Sequence, residues 1–199
     1  NMKRLLLASA ATALLAGAAG AEDVKLGLHM GFTGPLESMA PNMAAGAEAA
    51  AKEVSDSGKL LDGSKVVTSR SDTTCTDAAA SVASAERQVA DGVKAMVGGQ
   101  CSGETIATLE KVGIPNGVLM ISPSATSPAL STIEDQGLFF RAAPSDARQG
   151  EVMAELAKAQ GIDYMVGKFP MSANGKALIL NGGEGLVKII AGREYGEVL

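Results

Sequence analysis

A chain of 199 residues with 46% hydrophobic content can bury one core of ordinary domain size, and is short for two full lobes. Its net charge of −5 at pH 7, with no basic run beyond Lys3-Arg4, excludes the cationic face that nucleic acid requires. Aromatics are only 3% and Trp is absent, so the core must rest on Ala, Val, Leu, Ile and Met.

Residues 1–21 read as a secretory signal. Lys3 and Arg4 form a positive start, Leu5 to Leu15 an apolar stretch, and Ala19-Gly20-Ala21 the small residues of a cleavage position. A membrane-spanning helix needs about 20 apolar residues, more than this run supplies. Val24 to Met30 (VKLGLHM) alternates like a strand, and Gly31, Gly34, Pro35 and Pro41 make the next segment a loop. Asn42 to Val54 is predicted as an amphipathic helix with Met43, Ala47, Ala50 and Val54 on one face. Lys65 to Arg70 is the second strand. Thr76 and Asp77 offer caps for a helix to about Ala90, with Val82, Ala85 and Val89 inward.

Val93 to Val97 is the third strand. It leads into Gly98-Gly99-Gln100-Cys101-Ser102-Gly103 and a short helix from Glu104 to Lys111. Gly117 to Ile121 is a fourth strand, apolar throughout as a central parallel strand should be, and it leads into Ser122 to Pro128. Leu138 to Arg141 is a short fifth strand. Ser145 then caps a helix from Asp146 to Gln160 with Val152, Leu156 and Ala159 inward. This alternation predicts an α/β fold, a doubly wound parallel sheet forming one Rossmann-like lobe over residues 22–162. Residues 163–199 read as a short irregular tail. Within it Met165 to Ser172 is irregular, Lys176 to Leu180 a strand, and Leu186 to Ala191 one or two helical turns.

In an open sheet of this kind, ligands bind outside the carboxyl ends of the strands. Three loops emerge there: Gly31 to Met39, Gly99 to Gly103 and Ser122 to Ser127. Ser102 opens a helix, where free backbone N–H groups favour an anion such as a carboxylate. Ser124, Ala125 and Thr126 add backbone N–H and C=O groups and hydroxyls, a mixture that suits a zwitterion. The plain alternative is a helix cap at Ser102 and a Pro-bracketed turn at Ser122 to Pro128.

The parts of an enzyme are poor. The single His, His29, ends the first strand with no acid placed to orient it, and no Ser stands in a G-x-S-x-G turn. Gly182-Gly183-Glu184-Gly185 is neither a dinucleotide nor a phosphate loop. Asp72 and Asp77, flanking Cys75, read as a turn and a helix cap. Two isolated cysteines and one His lack metal-ligand spacing, so no catalytic residue, metal or cofactor is expected. In an exported chain a disulfide is the first reading of Cys75 and Cys101, with two buried free thiols as the alternative.

Several motifs stand together in one order. They are Gly31-Phe32-Thr33-Gly34-Pro35, Asp72-Thr73-Thr74-Cys75, Val97-Gly98-Gly99-Gln100-Cys101-Ser102, Met120-Ile121-Ser122-Pro123-Ser124-Ala125-Thr126-Ser127-Pro128, and Arg141 to Gly150. With them the chain resembles the periplasmic substrate-binding proteins of branched-chain amino acid ABC transporters, the leucine/isoleucine/valine-binding type, from about Asp23 to Ile162.

The resemblance implies a type I periplasmic-binding fold, in which two α/β lobes close on a ligand, and a Cys75–Cys101 disulfide. It implies that Ser102 and Thr126 hold the carboxylate and ammonium of an amino acid, with backbone at Ser124 and Ala125. Met39 falls where many relatives place an aromatic residue over the ligand. It further implies a periplasmic location and a membrane permease as partner. The second-lobe strand and Tyr-Gly turn that such proteins place after Ile162 are not found in the sequence, so residues 163–199 are expected to be a second-lobe remnant or a partly disordered tail. The expected function is weak capture of a branched-chain or related amino acid by one lobe. The alternative is a ligand-sensing or dimerising interaction module, in which the partner is a second copy.

Overall fold

The computed structural model describes residues 22–60, 63–170, 173, 186–195 and 198. The expected signal at 1–21 and the expected strand at Lys176 to Leu180 lie outside the described residues. The chain divides into two units, Asn1–Ser145 and Asp146–Leu199.

The first unit carries an all-parallel sheet of five strands in the order β2-β1-β3-β4-β5. These are β1 (Val24–Met30), β2 (Val66–Asp72), β3 (Ala95–Gly98), β4 (Leu119–Ser122) and β5 (Phe139–Arg141). Three helices connect them: α1 (Ala40–Asp56), α2 (Ala78–Ala90) and α3 (Ser102–Thr108). The last continues through a π turn, Leu109–Gly113, into a final turn, Ile114–Asn116. Strand alternation on β1 shows how the layers are arranged. Leu28 and Met30 are buried in a cluster with Ala40 and Ala44 of α1, while His29 between them is bonded to Ser81 of α2. Neighbouring strand residues point to opposite faces, so α1 and α2 cover opposite sides of the sheet. The larger core lies on the α2 and α3 side and holds Ala85, Met96, Leu109, Val112, Val118 and Met120.

Local chemistry explains the elements and their departures from expectation. Asp77 caps α2 as expected, its Oδ1 accepting the N–H groups of Ala79 at 2.9 Å and Ala80 at 3.0 Å. In α1 the buried residues are Ala40, Ala44 and Ala51, whereas Val54 is exposed. The helix lies close against the sheet on its methyl-sized side chains, and the larger Met43 packs at the margin. β4 begins at Leu119 because Gly117, left-handed at φ 63°, ends the preceding turn. Ile121 is 41% exposed, contrary to a wholly buried strand, because α1 lies over β1 and β2 on that face.

The second unit holds α4 (Asp146–Ala159) and an antiparallel pair, β6 (Tyr164–Pro170) and β7 (Leu186–Gly192), in register from Tyr164 opposite Gly192 to Pro170 opposite Leu186. This corrects three expectations. A strand does follow Ile162, in the stretch read as irregular. Leu186 to Ala191 is strand, since the β-branched Val187, Ile189 and Ile190 pair with β6 in place of winding into turns. The expected inward stripe of α4 is not buried, with Val152 and Leu156 exposed.

Candidate functional site

Strand order reverses at β1, with β2 on one side and β3 on the other, and the connections that leave β1 and β3 go to helices on opposite faces. Such a switch point leaves a crevice at the carboxyl edge of the sheet. Gln100, buried between the loops, stitches its walls together. Its Oε1 accepts the Gly31 N–H at 3.0 Å, and its carbonyl accepts the Ser124 hydroxyl at 2.7 Å. Ser122, also buried, donates to the Gly99 carbonyl and accepts the Ala125 N–H at 2.9 Å. Gly99 stands at φ +76°, and a Cβ there would meet Thr105 Oγ1 at 2.4 Å. Only glycine lets this loop lie against α3.

Ser102 is the first residue of α3. Its Oγ accepts two N–H groups, from Thr126 and Ser127, each at 3.1 Å. Ser102, Ser124, Ala125 and Thr126, all singled out in the sequence, are therefore brought together. Met39 stands apart at the N-terminal boundary of α1, on the connection after β1, and is half exposed. A serine hydroxyl has two acceptor lone pairs and one proton. With both lone pairs engaged, the Ser102 O–H is left as a donor, which fits a carboxylate and not an ammonium.

Cys75 and Cys101 form a disulfide with Cα atoms 5.3 Å apart, which answers the free-thiol alternative. It ties the connection after β2 to the residue preceding Ser102. On the same edge the Asp72 carboxylate accepts the N–H groups of Thr33 at 3.2 Å and Thr74 at 2.9 Å, and the Thr33 hydroxyl. Burial works against ionisation of Asp72. The hydrogen bonds from Thr33 and Thr74 outweigh it and hold the carboxyl below its usual range. Arg70 makes a forked pair with Glu48, at 2.7 and 2.9 Å, and lies 5.5 Å from the Phe32 ring centre, which steadies the loop after β1.

Behind the crevice lies a buried polar cluster. His29 Nδ1 is 2.7 Å from Ser71 Oγ, and its Nε2 is 3.0 Å from Ser81 Oγ. Ser81 in turn meets Thr108 Oγ1 at 2.9 Å and Glu104 Oε2 at 3.4 Å. Burial lowers the His29 pKa to about 4 against the smaller pull of Asp72. It raises that of Glu104 to about 7, although the Cys101 N–H donates to Glu104 Oε1 at 2.9 Å. His29 is thus a neutral structural residue at neutral pH. No group of three His, Cys, Asp or Glu side chains that could hold a metal is found among the described residues.

Four contributors were not singled out in the sequence: Gln100, Ser122, Glu104 and Arg141. Glu104 carried a signal, an acid three residues after the helix boundary at Cys101, in capping-box spacing. Arg141 Nη1 donates to the carbonyls of Ala125 at 3.3 Å and Ser127 at 2.9 Å, a contact with no local pattern behind it. The apolar groove of the second unit, lined by Met153, Leu156, Ile162, Tyr164 and Ile190, holds none of the candidate site residues.

Comparison with known proteins places the chain in a family. Residues 42–166 match the family described as receptor family ligand binding region. The Leu/Ile/Val-binding protein homolog 1 of Brucella abortus is 37% identical over 151 residues, 75% of this chain and 39% of that protein. The Leu/Ile/Val-binding protein of Citrobacter freundii is 33% identical over 156 residues, 78% of this chain and 41% of its own length. The chain thus spans about two fifths of the curated relatives it matches.

Among solved structures, the branched-chain amino acid transporter substrate-binding protein of Streptococcus pneumoniae, in complex with isoleucine, has a TM-score of 0.61 at 26% identity. That likeness covers 68% of this chain and 38% of the other. A second family, described as pyridine nucleotide-disulphide oxidoreductase, dimerisation domain, matches residues 151–199. That likeness stands beside the reading of residues 163–199 as a second-lobe remnant. With most of its length matched and its sheet in the same fold, the chain belongs to the receptor family ligand binding region, among relatives that are substrate-binding proteins of branched-chain amino acid transporters.

Proposed function

We propose that the first unit captures a branched-chain or related amino acid for an ABC transporter, without catalysis, and that the protein works in the periplasm behind a signal at residues 1–21 with a membrane permease as partner. The lobe in this reading runs over residues 22–162, and the site residues all lie in its part up to Ser145, the first unit. The observation that carries it is the Ser102 hydroxyl, whose oxygen accepts the Thr126 and Ser127 N–H groups and whose proton is left to donate to a carboxylate. An ammonium is then matched by backbone carbonyl and the Thr126 hydroxyl, with Met39 near the apolar end of the ligand. The crevice offers donors on one side of a ligand, so water keeps access to the other. Expected affinity for L-leucine is near the millimolar range, about −4 kcal/mol.

Calorimetric titration of wild type and Ser102→Ala with L-leucine tests this. Binding weakened about tenfold or more in the variant is expected, since a hydrogen bond to a charged group is lost. Equal binding by both proteins contradicts the assignment, and micromolar binding by wild type contradicts the one-sided site.

A further inference from the structure

We propose that Arg141 is a positioning residue of this site, setting the direction of the peptide N–H groups that hold the Ser102 hydroxyl toward the ligand. The inference rests on the functional reading above. Arg141 ends β5, two strands away from β3, and reaches the loop after β4 through backbone carbonyls. Its guanidinium holds Ala125 and Ser127 by their carbonyls through Nη1, and Ser131 by its hydroxyl through Nη2.

The peptide group joining Ala125 to Thr126 is the centre of the argument. It is planar, with its C=O and N–H pointing in opposite directions. The carbonyl end is held by Arg141, and the N–H end donates to Ser102 Oγ. One rigid unit is thus gripped from β5 on one side and from α3 on the other. A cation on the carbonyl also polarises the amide and strengthens its N–H as a donor. The second carbonyl, of Ser127, belongs to the same residue as the second N–H on Ser102. Arg141 therefore sets both N–H groups that saturate the Ser102 lone pairs and leave its hydroxyl to donate. Ala125 itself is buried, and the loop fixes its own N–H through Ser122 Oγ at 2.9 Å, while Arg141 holds its carbonyl.

A planar fork is required, because two carbonyls two residues apart are held from a single nitrogen while the other nitrogen reaches Ser131. A lysine ammonium keeps the charge and lacks the fork.

The test uses the full chain with Arg141→Ala and Arg141→Lys. Three quantities are read: amide hydrogen exchange at Thr126 and Ser127, affinity for L-leucine, and melting temperature. In Arg141→Ala, exchange at those two amides is expected to rise about tenfold or more and leucine affinity to fall about tenfold, while core amides such as Leu28 and Met120 keep their protection. Arg141→Lys is expected to recover part of both, and it serves alone if the alanine variant does not fold. Unchanged exchange at Thr126 and Ser127 overturns the proposal. So does a uniform loss of protection across the sheet, which marks a purely structural role. If wild type itself does not bind leucine, the functional reading fails, and the exchange measurement still decides for or against Arg141 as holder of the loop.

Discussion

Replacing Cys75 and Cys101 together by serine is expected to lower the unfolding free energy of the sheet unit by about 3.5 kcal/mol. The bond links positions 26 residues apart, and closing a loop of that length in the unfolded chain has an entropic cost of about this size. A domain's whole stability is commonly about 5–15 kcal/mol, so the loss is a large part of it. The effect extends to the site. Thr74 and Cys75 are held at φ 57° and 60°, a conformation that non-glycine residues adopt at a cost, and the disulfide and the Asp72 hydrogen bonds keep them there. Cys101 directly precedes Ser102, so release of the bond loosens the start of α3. Urea titration of the double variant, and of wild type with and without a thiol reductant, checks this. A loss below about 1 kcal/mol contradicts it.

The second large effect is on pH dependence. Glu104 holds its proton more tightly when folded, with a pKa of about 7 against 4.5. The stability it contributes is complete below pH 4.5 and is lost as pH rises through 7. His29 behaves oppositely, with about 4 in the fold against 6.5. Its contribution is complete above pH 6.5 and is lost as pH falls through 4. The two together favour greatest stability at about pH 5 to 6. A shift of one unit corresponds to about 1.4 kcal/mol, so Glu104 alone removes about 3 kcal/mol on the alkaline side. In Glu104→Gln the amide oxygen can still accept the Cys101 N–H, and nothing ionises. The variant is expected to match wild type near pH 5 and to exceed it by up to about 3 kcal/mol near pH 8. Denaturation across that range measures it, and two parallel profiles refute the role given to Glu104.

The sheet was legible where its pattern is local. VKLGLHM marks β1, and Asp77 marks the start of α2, because alternation and caps are written within a few residues. The Ser-rich ends of β3 and β4 were legible for the same reason, so Ser102, Ser124, Ala125 and Thr126 could be grouped once parallel strands placed their loops on one edge. What could not be read depends on distance. β7 is a strand because β6 pairs with it, and neither segment shows the other in its own sequence. His29, Ser81 and Glu104 come from β1, α2 and α3, and only the fold makes them one buried cluster. Arg141 looked like the last residue of a strand. Its contacts reach back to residues 125, 127 and 131. The periodicity of α4 gave it an apolar stripe, and periodicity does not say whether a surface meets that stripe.

The measurement that bears most directly on the central claim is a titration of the isotope-labelled chain with L-leucine, followed by the backbone amide resonances. Saturable shifts concentrated at Ser102, Ala125, Thr126 and Ser127, with a midpoint near the millimolar range, are predicted. Saturation with no response at these four amides, or with the response confined to the second unit, contradicts a carboxylate site between β3 and β4.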